Sequence, residues 1–154
     1  MSIVKDMSLA PSGHQKIQWV RDFMPAHSGI EERFRREKPF EGLTIAVSVH
    51  LEAKTANLGL GLREGGAQVY LTGCNPLSTQ DDVAAAMADL GVETFGVHGV
   101  DMQGYEDLLV ETLKCRPHLI VDDGGDLISL MGGKCAQYGD RLLGGCEETT
   151  TGIH

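Results

Sequence analysis

The sequence predicts an open α/β domain: a mostly parallel, Rossmann-like sheet of about five strands with helices on both faces, preceded by a helical segment. Three observations predict it. Short apolar runs recur about every 25 residues, which is room for one strand and one crossover helix. Between them the apolar spacing changes to that of a helix. Two of the runs end in polar clusters, Val121-Asp122-Asp123-Gly124-Gly125-Asp126 and Cys146-Glu147-Glu148-Thr149-Thr150-Thr151-Gly152. Acidic groups directly after an apolar strand belong at the carboxyl edge of a parallel sheet, where such folds keep their ligands.

Residues 1–40 read as the helical segment. Ile17, Val20 and Met24 recur at helix spacing, with Trp19 and Phe23 beside them. Pro11-Ser12-Gly13 opens this helix with Ser12 as its cap, and Pro25 ends or kinks it. Gly29 to Lys38 is a second, charge-rich helix with a solvated face. Residues 41–154 then carry the βα rhythm. Leu43–Val49 is a strand, Gly65–Leu71 turns into the next, Gly91–Val97 makes a third and His118–Val121 a fourth; Leu142 and Leu143 begin a short fifth. Leu51, Thr55, Leu58 and Leu62 share one face of the first crossover helix. Val83, Met87 and Leu90 do so in the second, and Tyr105, Leu108, Leu109, Thr112 and Leu113 in the third. The crossovers are expected to be right-handed.

At 154 residues the chain is one domain with a real core. A net charge of -9 argues against nucleic acid and against an anionic membrane as partner. No apolar run approaches a membrane span, and the N-terminus has no signal-peptide pattern. Cys74, Cys115, Cys135 and Cys146 are widely spaced, so neither a zinc site nor a disulfide framework is expected. They read as small buried hydrophobes of a reduced, cytoplasmic protein, with Cys74 and Cys146 close to the polar motifs.

Gly59-Leu60-Gly61-Leu62-Arg63-Glu64-Gly65 is not a dinucleotide-binding loop. It lies late in a helix and precedes a strand, whereas a phosphate loop follows a strand and opens a helix. His50 ends the first strand on the face of Ser48 and Ala46, and a parallel sheet brings it to the same edge as Asp123. Asp122 and Asp123 point to opposite sides if the strand runs through them, so one of them enters a cleft. Asp126 is expected to cap the next helix. Asn75 to Asp82 is a loop ending in a helix capped by Ser78 or Thr79, with Asp81 and Asp82 in its first turn. Thr149, Thr150 and Thr151 read from local chemistry as a threonine-rich helix start.

Four stretches carry a family resemblance: Val-Asp-Asp-Gly-Gly-Asp-Leu from Val121, Glu-Glu-Thr-Thr-Thr-Gly-Ile-His to His154, Asn75 to Asp82, and Ser48-Val49-His50-Leu51-Glu52. Together they resemble the N-terminal, substrate-binding part of adenosylhomocysteinase (S-adenosyl-L-homocysteine hydrolase), in order from about Asp6 to the end of the chain. The resemblance implies reversible thioether cleavage to a nucleoside and L-homocysteine, through transient oxidation of the ribose 3′-hydroxyl by tightly held NAD, within methyl-cycle metabolism. It implies His50 and Asp123 in proton transfer, and Glu148 rather than Glu147 beside the substrate, paired with a lysine from elsewhere in the longer enzyme. It also implies that Thr149, Thr150 and Thr151 touch NAD, that the Asn75–Asp82 loop lies beside the substrate, and that the complete enzyme is a homotetramer. Where the family carries a threonine and a glutamate that recognise adenine, this sequence has Glu52 and Lys54. A carboxylate accepts from an exocyclic amine, whereas an ammonium only donates and suits a carbonyl oxygen. S-adenosyl-L-homocysteine is the expected substrate and S-inosyl-L-homocysteine the alternative. The 154 residues alone are expected not to catalyse, because the main NAD-binding fold is not among them. A standalone nucleoside-binding module, or an inert partner domain, are the readings from other classes.

Overall fold

The computed structural model describes residues 1–153 and places six strands in one sheet, all parallel, in the order β1-β4-β3-β2-β5-β6. The strands are β1 (Ile3–Val4), β2 (Thr44–Ser48), β3 (Gln68–Thr72), β4 (Glu93–Gly96), β5 (Leu119–Asp122) and β6 (Gly144–Glu147). The helices are α1 (Ala10–Asp22), α2 (Pro25–Glu37), α3 (Ala53–Glu64), α4 (Asp81–Asp89), α5 (Met102–Leu113) and α6 (Asp126–Gly132). All five residues of β2 are buried, because a central parallel strand is covered on both faces and reads as a continuous apolar run rather than an alternation.

Two cores flank the sheet. Ile17, Leu60 and Met87, from α1, α3 and α4, pack on Val47 and Leu71, and α2 lies against α3. Leu109, Leu113, Leu127 and Met131, from α5 and α6, pack on Ala46 and Ile120 on the other face. The chain winds outward from β2 through β3 to β4 with its helices on one face. It then returns to β5 and β6 with its helices on the other. Right-handed crossovers produce that change of face when the winding direction reverses. The reversal leaves a crevice at the carboxyl ends of the neighbouring strands β2 and β5.

Local expectations fail at several ends. Ile3–Val4, inside the expected helical segment, adds an edge strand to β4. Ser12 does not cap α1; it lies in the first turn and its hydroxyl donates to Asp82 Oδ2 at 2.7 Å. Pro25 starts α2 rather than ending α1, at a position where its missing N–H has no intrahelical partner to lose. Leu142 and Leu143 precede the last strand, whose ladder is Gly-Gly-Cys-Glu. Neither Ser78 nor Thr79 caps α4, where Gln80 holds that position. Cys146 is exposed, since β6 is an edge strand with no neighbour on its far side. Gly59 and Gly61 are buried inside α3, and Gly65 terminates it.

Candidate active site

Parallel register carries the key residues to one rim. Ser48 in β2 is level with Asp122 in β5, and Asp122 is level with Glu147 in β6. The residues that follow these three strand ends leave the sheet side by side. His50 Nε2 stands 3.5 Å from Asp123 Oδ2, with the imidazole half exposed at 51% and the carboxylate at 11%. The side chain of Asp122 is fully buried while that of Asp123 reaches the rim, as alternation along a strand requires.

The loop after β3 closes the same corner. Its backbone is tied to the β2 end by Cys74 N–H donating to the Val49 carbonyl. Cys74 Sγ donates to Asp123 Oδ2 at 3.2 Å. Burial, followed by the hydrogen bond to Asp123, pushes the Cys74 thiol far up and keeps it protonated. His50 Nδ1 lies 2.6 Å from Ser78 Oγ, and Ser78 donates its own hydrogen to the Asn75 carbonyl at 3.0 Å. Ser78 Oγ is therefore the acceptor, and Nδ1 carries the proton. That tautomer turns a bare Nε2 lone pair toward the carboxylate.

The second cluster is held together by Glu147. Its Oε1 accepts from Gly124 N (2.8 Å), Thr149 N (2.9 Å) and the Thr149 hydroxyl (2.7 Å). These donors, with the Gly124 N–H foremost, hold the Glu147 carboxyl below its usual range. Gly152 is dictated by the same group: a Cβ there would come 2.3 Å from the Glu147 carboxyl carbon. Asp122 takes over the capping task expected of Asp126, accepting from Ile128 N and Asp123 N at 3.1 Å each. Burial raises its pKa to about 6. Asp126 is the first residue of α6 and instead accepts from Tyr105 Oη at 2.7 Å.

An open cleft of about 540 Å³ adjoins the rim, lined by His50, Glu52, Lys54, Ser78, Gln80 and Glu148 among others. Glu52 caps α3, its Oε1 accepting from Lys54 N (3.0 Å) and Thr55 N (3.3 Å). The Lys54 side chain is exposed and, among the described residues, makes no hydrogen bond or ion pair. Glu148 is also exposed, positioned by its backbone N–H on the Asp122 carbonyl. Of the threonines, Thr149 spends its hydroxyl within the loop, donating to Glu147 and accepting from Gly152 N. Thr150 and Thr151 are exposed with no hydroxyl partner among the described residues. His154, the last residue of that motif, lies outside the described residues. A larger hollow of about 720 Å³ opens among α1, α2 and α3. Buried Glu31 there pairs with Arg21 and Arg35, an ion pair that joins α1 to α2. None of the rim residues reaches it.

The chain matches the family model for S-adenosyl-L-homocysteine hydrolase over residues 1–143. It belongs to the S-adenosyl-L-homocysteine hydrolase family. Its relatives in that family include the S-inosyl-L-homocysteine hydrolase of Methanococcus maripaludis, 53% identical over 99% of this chain and 37% of the relative. That of Methanocaldococcus jannaschii is 50% identical over 97% of this chain and 36% of the relative. The adenosylhomocysteinase of Pyrococcus abyssi is 47% identical, again over 97% and 36%. The chain thus spans little more than a third of the length of the relatives it matches. The roles that Cys74, Ser78 and Glu147 take in the structure escaped the sequence reading. Cys74 and Ser78 sit in the loop after β3, whose closeness to His50 and Asp123 depends on strand order and not on any local motif.

Proposed function

We propose that this chain supplies the nucleoside-binding rim of an NAD-dependent hydrolase that cleaves S-inosyl-L-homocysteine, and that S-adenosyl-L-homocysteine is the poorer substrate. The approach of Asp123 to His50 at the β2–β5 rim, with His50 and Glu148 lining the cleft beside it, carries the reading. The base preference rests on Glu52 and Lys54. The Glu52 carboxylate is engaged in capping α3, whereas the Lys54 ammonium beside it has no partner among the described residues and only donates, which suits the 6-carbonyl of hypoxanthine. Three archaeal relatives named for S-inosyl-L-homocysteine, at 53%, 50% and 48% identity, support the same choice.

His50 Nε2 and Asp123 Oδ2 stand 3.5 Å apart, and in this reading the two side chains move protons at C4′ of the ribose and at the leaving homocysteine sulfur. Glu148 orients the base that acts at the 3′-hydroxyl. Bound NAD supplies hydride acceptance at the 3′ carbon. The exposed Thr150 and Thr151 hydroxyls fit polar contact with such a dinucleotide; the Thr149 hydroxyl, satisfied inside its loop, fits a loop-holding role instead.

Calorimetry of the 154-residue chain tests the reading. Inosine is expected to bind about tenfold more tightly than adenosine, the worth of one charge-assisted hydrogen bond, and Lys54→Thr to remove the preference. Asp123→Asn and His50→Ala should each weaken binding of both nucleosides. Adenosine binding more tightly would reverse the base assignment; binding of neither would end the reading. The 154 residues with NAD added are expected to show no turnover, because among the described residues no strand is followed by a Gly-x-Gly-x-x-Gly loop that opens a helix.

A further inference from the structure

Three electron-pair donors of metal-binding type converge at the rim from three different loops. A nitrogen of His50, Cys74 Sγ and a carboxylate oxygen of Asp123 all lie within 4.8 Å of one another. Two of the separations are 3.5 Å for Nε2 to Oδ2 and 3.2 Å for Sγ to Oδ2. Tetrahedral zinc, with bonds of about 2.0–2.3 Å, needs its ligand atoms about 3.3–3.6 Å apart. The imidazole, half exposed on its loop, can close the remaining gap to sulfur by a small rotation.

The surroundings point the same way. Ser78 holds the Nδ1–H and so presents the unprotonated Nε2 to the gap, the arrangement by which a hydrogen-bonded partner usually orients a ligating histidine. Cys74 Sγ already faces Asp123 Oδ2 through its S–H, so a cation that replaces that proton meets both atoms. Spacing in the sequence could not reveal this set, since the three residues are separated by 24 and 49 positions and only the sheet order unites them.

We propose that His50, Cys74 and Asp123 form a binding site for one thiophilic divalent cation of the zinc type, with its fourth position open to the cleft. On binding, the Cys74 S–H proton passes to solvent and the thiolate sulfur, the Nε2 lone pair and Oδ2 take the metal. No oxidation change is involved. Because the cation occupies the gap between His50 and Asp123, it blocks proton transfer there; this consequence, unlike the binding itself, rests on the function proposed above.

The test uses the 154-residue chain carrying Cys146→Ser, which removes the exposed thiol from competition. Titration with Co²⁺ should produce a thiolate-to-metal band in the near ultraviolet that saturates at one equivalent and is abolished by adding Zn²⁺. Cys74→Ser should lose the band, and His50→Ala, a change at an exposed position that leaves the core alone, should weaken binding at least tenfold. Ser78→Ala should weaken it about tenfold through loss of imidazole orientation. Circular dichroism confirms that each variant is folded. A band that survives in Cys74→Ser, affinity unchanged in His50→Ala, or no saturable binding by the folded parent chain would each overturn the proposal. Nucleoside binding measured without metal reports separately on the function proposed above.

Discussion

Asp122 and Asp123 show how one residue of offset divides the work of two identical side chains. Asp122 is fully buried, braces the turn into α6 and has its pKa raised to about 6; Asp123 stands at the rim beside His50. Because the folded pKa of Asp122 exceeds the carboxyl's ordinary value, the native state binds the extra proton between about pH 4 and pH 6. Stability from this group therefore rises as pH falls through that window and is lost as pH rises through about 6. Denaturant unfolding at pH 7 and pH 5, compared with Asp122→Asn, should show the difference: about 1 kcal/mol of acid-side stabilisation present in the parent and missing in the variant. At Gly152 the expectation is steric. Gly152→Ala has to displace the Glu147 carboxylate, so amide exchange at Gly124 and Thr149, whose N–H groups it holds, should accelerate.

At the scale of the element, helix type and face were legible wherever the apolar period was long. Val83 and Met87, and Tyr105, Leu108, Leu109, Thr112 and Leu113, are buried in α4 and α5 as expected, whereas Leu90, the third residue of the expected α4 face, follows the helix end and is exposed. Ends were less legible, because capping depends on neighbours from other parts of the chain. Ser12 and Lys16 of α1 turn to Asp82 in α4, an attraction no local rule contains. The same contact fixes Gly13, where a Cβ would fall 1.9 Å from the Asp82 carbonyl oxygen. Gly13→Ala should therefore push α1 from α4 and cost about 1–3 kcal/mol in chemical denaturation. Leu113→Ala, which empties a fully buried position on the opposite face, should cost about 2–5 kcal/mol.

For the whole molecule, the order β1-β4-β3-β2-β5-β6 sets both stability and site. β2 and β3 lie inside two cores with partners on both sides, while β1 and β6 are edges, β1 of only two residues. Native-state hydrogen exchange should find the slowest amides in β2, β3 and β5 and the fastest in β1 and β6. The reverse order would contradict the layering described above. The cleft forms where winding changes direction, and the edge strand β6 carries Glu147 and leads to Glu148.

The sequence by itself determined the alternation of strands and helices, the parallel sheet covered on both faces, and the placing of His50, Asp123 and Glu148 after strand ends, because period and polarity are local properties of the chain. Only the tertiary structure decided that β2 and β5 are neighbours, that Cys74 and Ser78 complete the corner around His50 and Asp123, and that Asp122 and Glu147 brace what Asp123 and Glu148 present. The reason is physical. Strand order and helix face are settled by burying two apolar surfaces at once, a condition on the whole chain that no single segment can express.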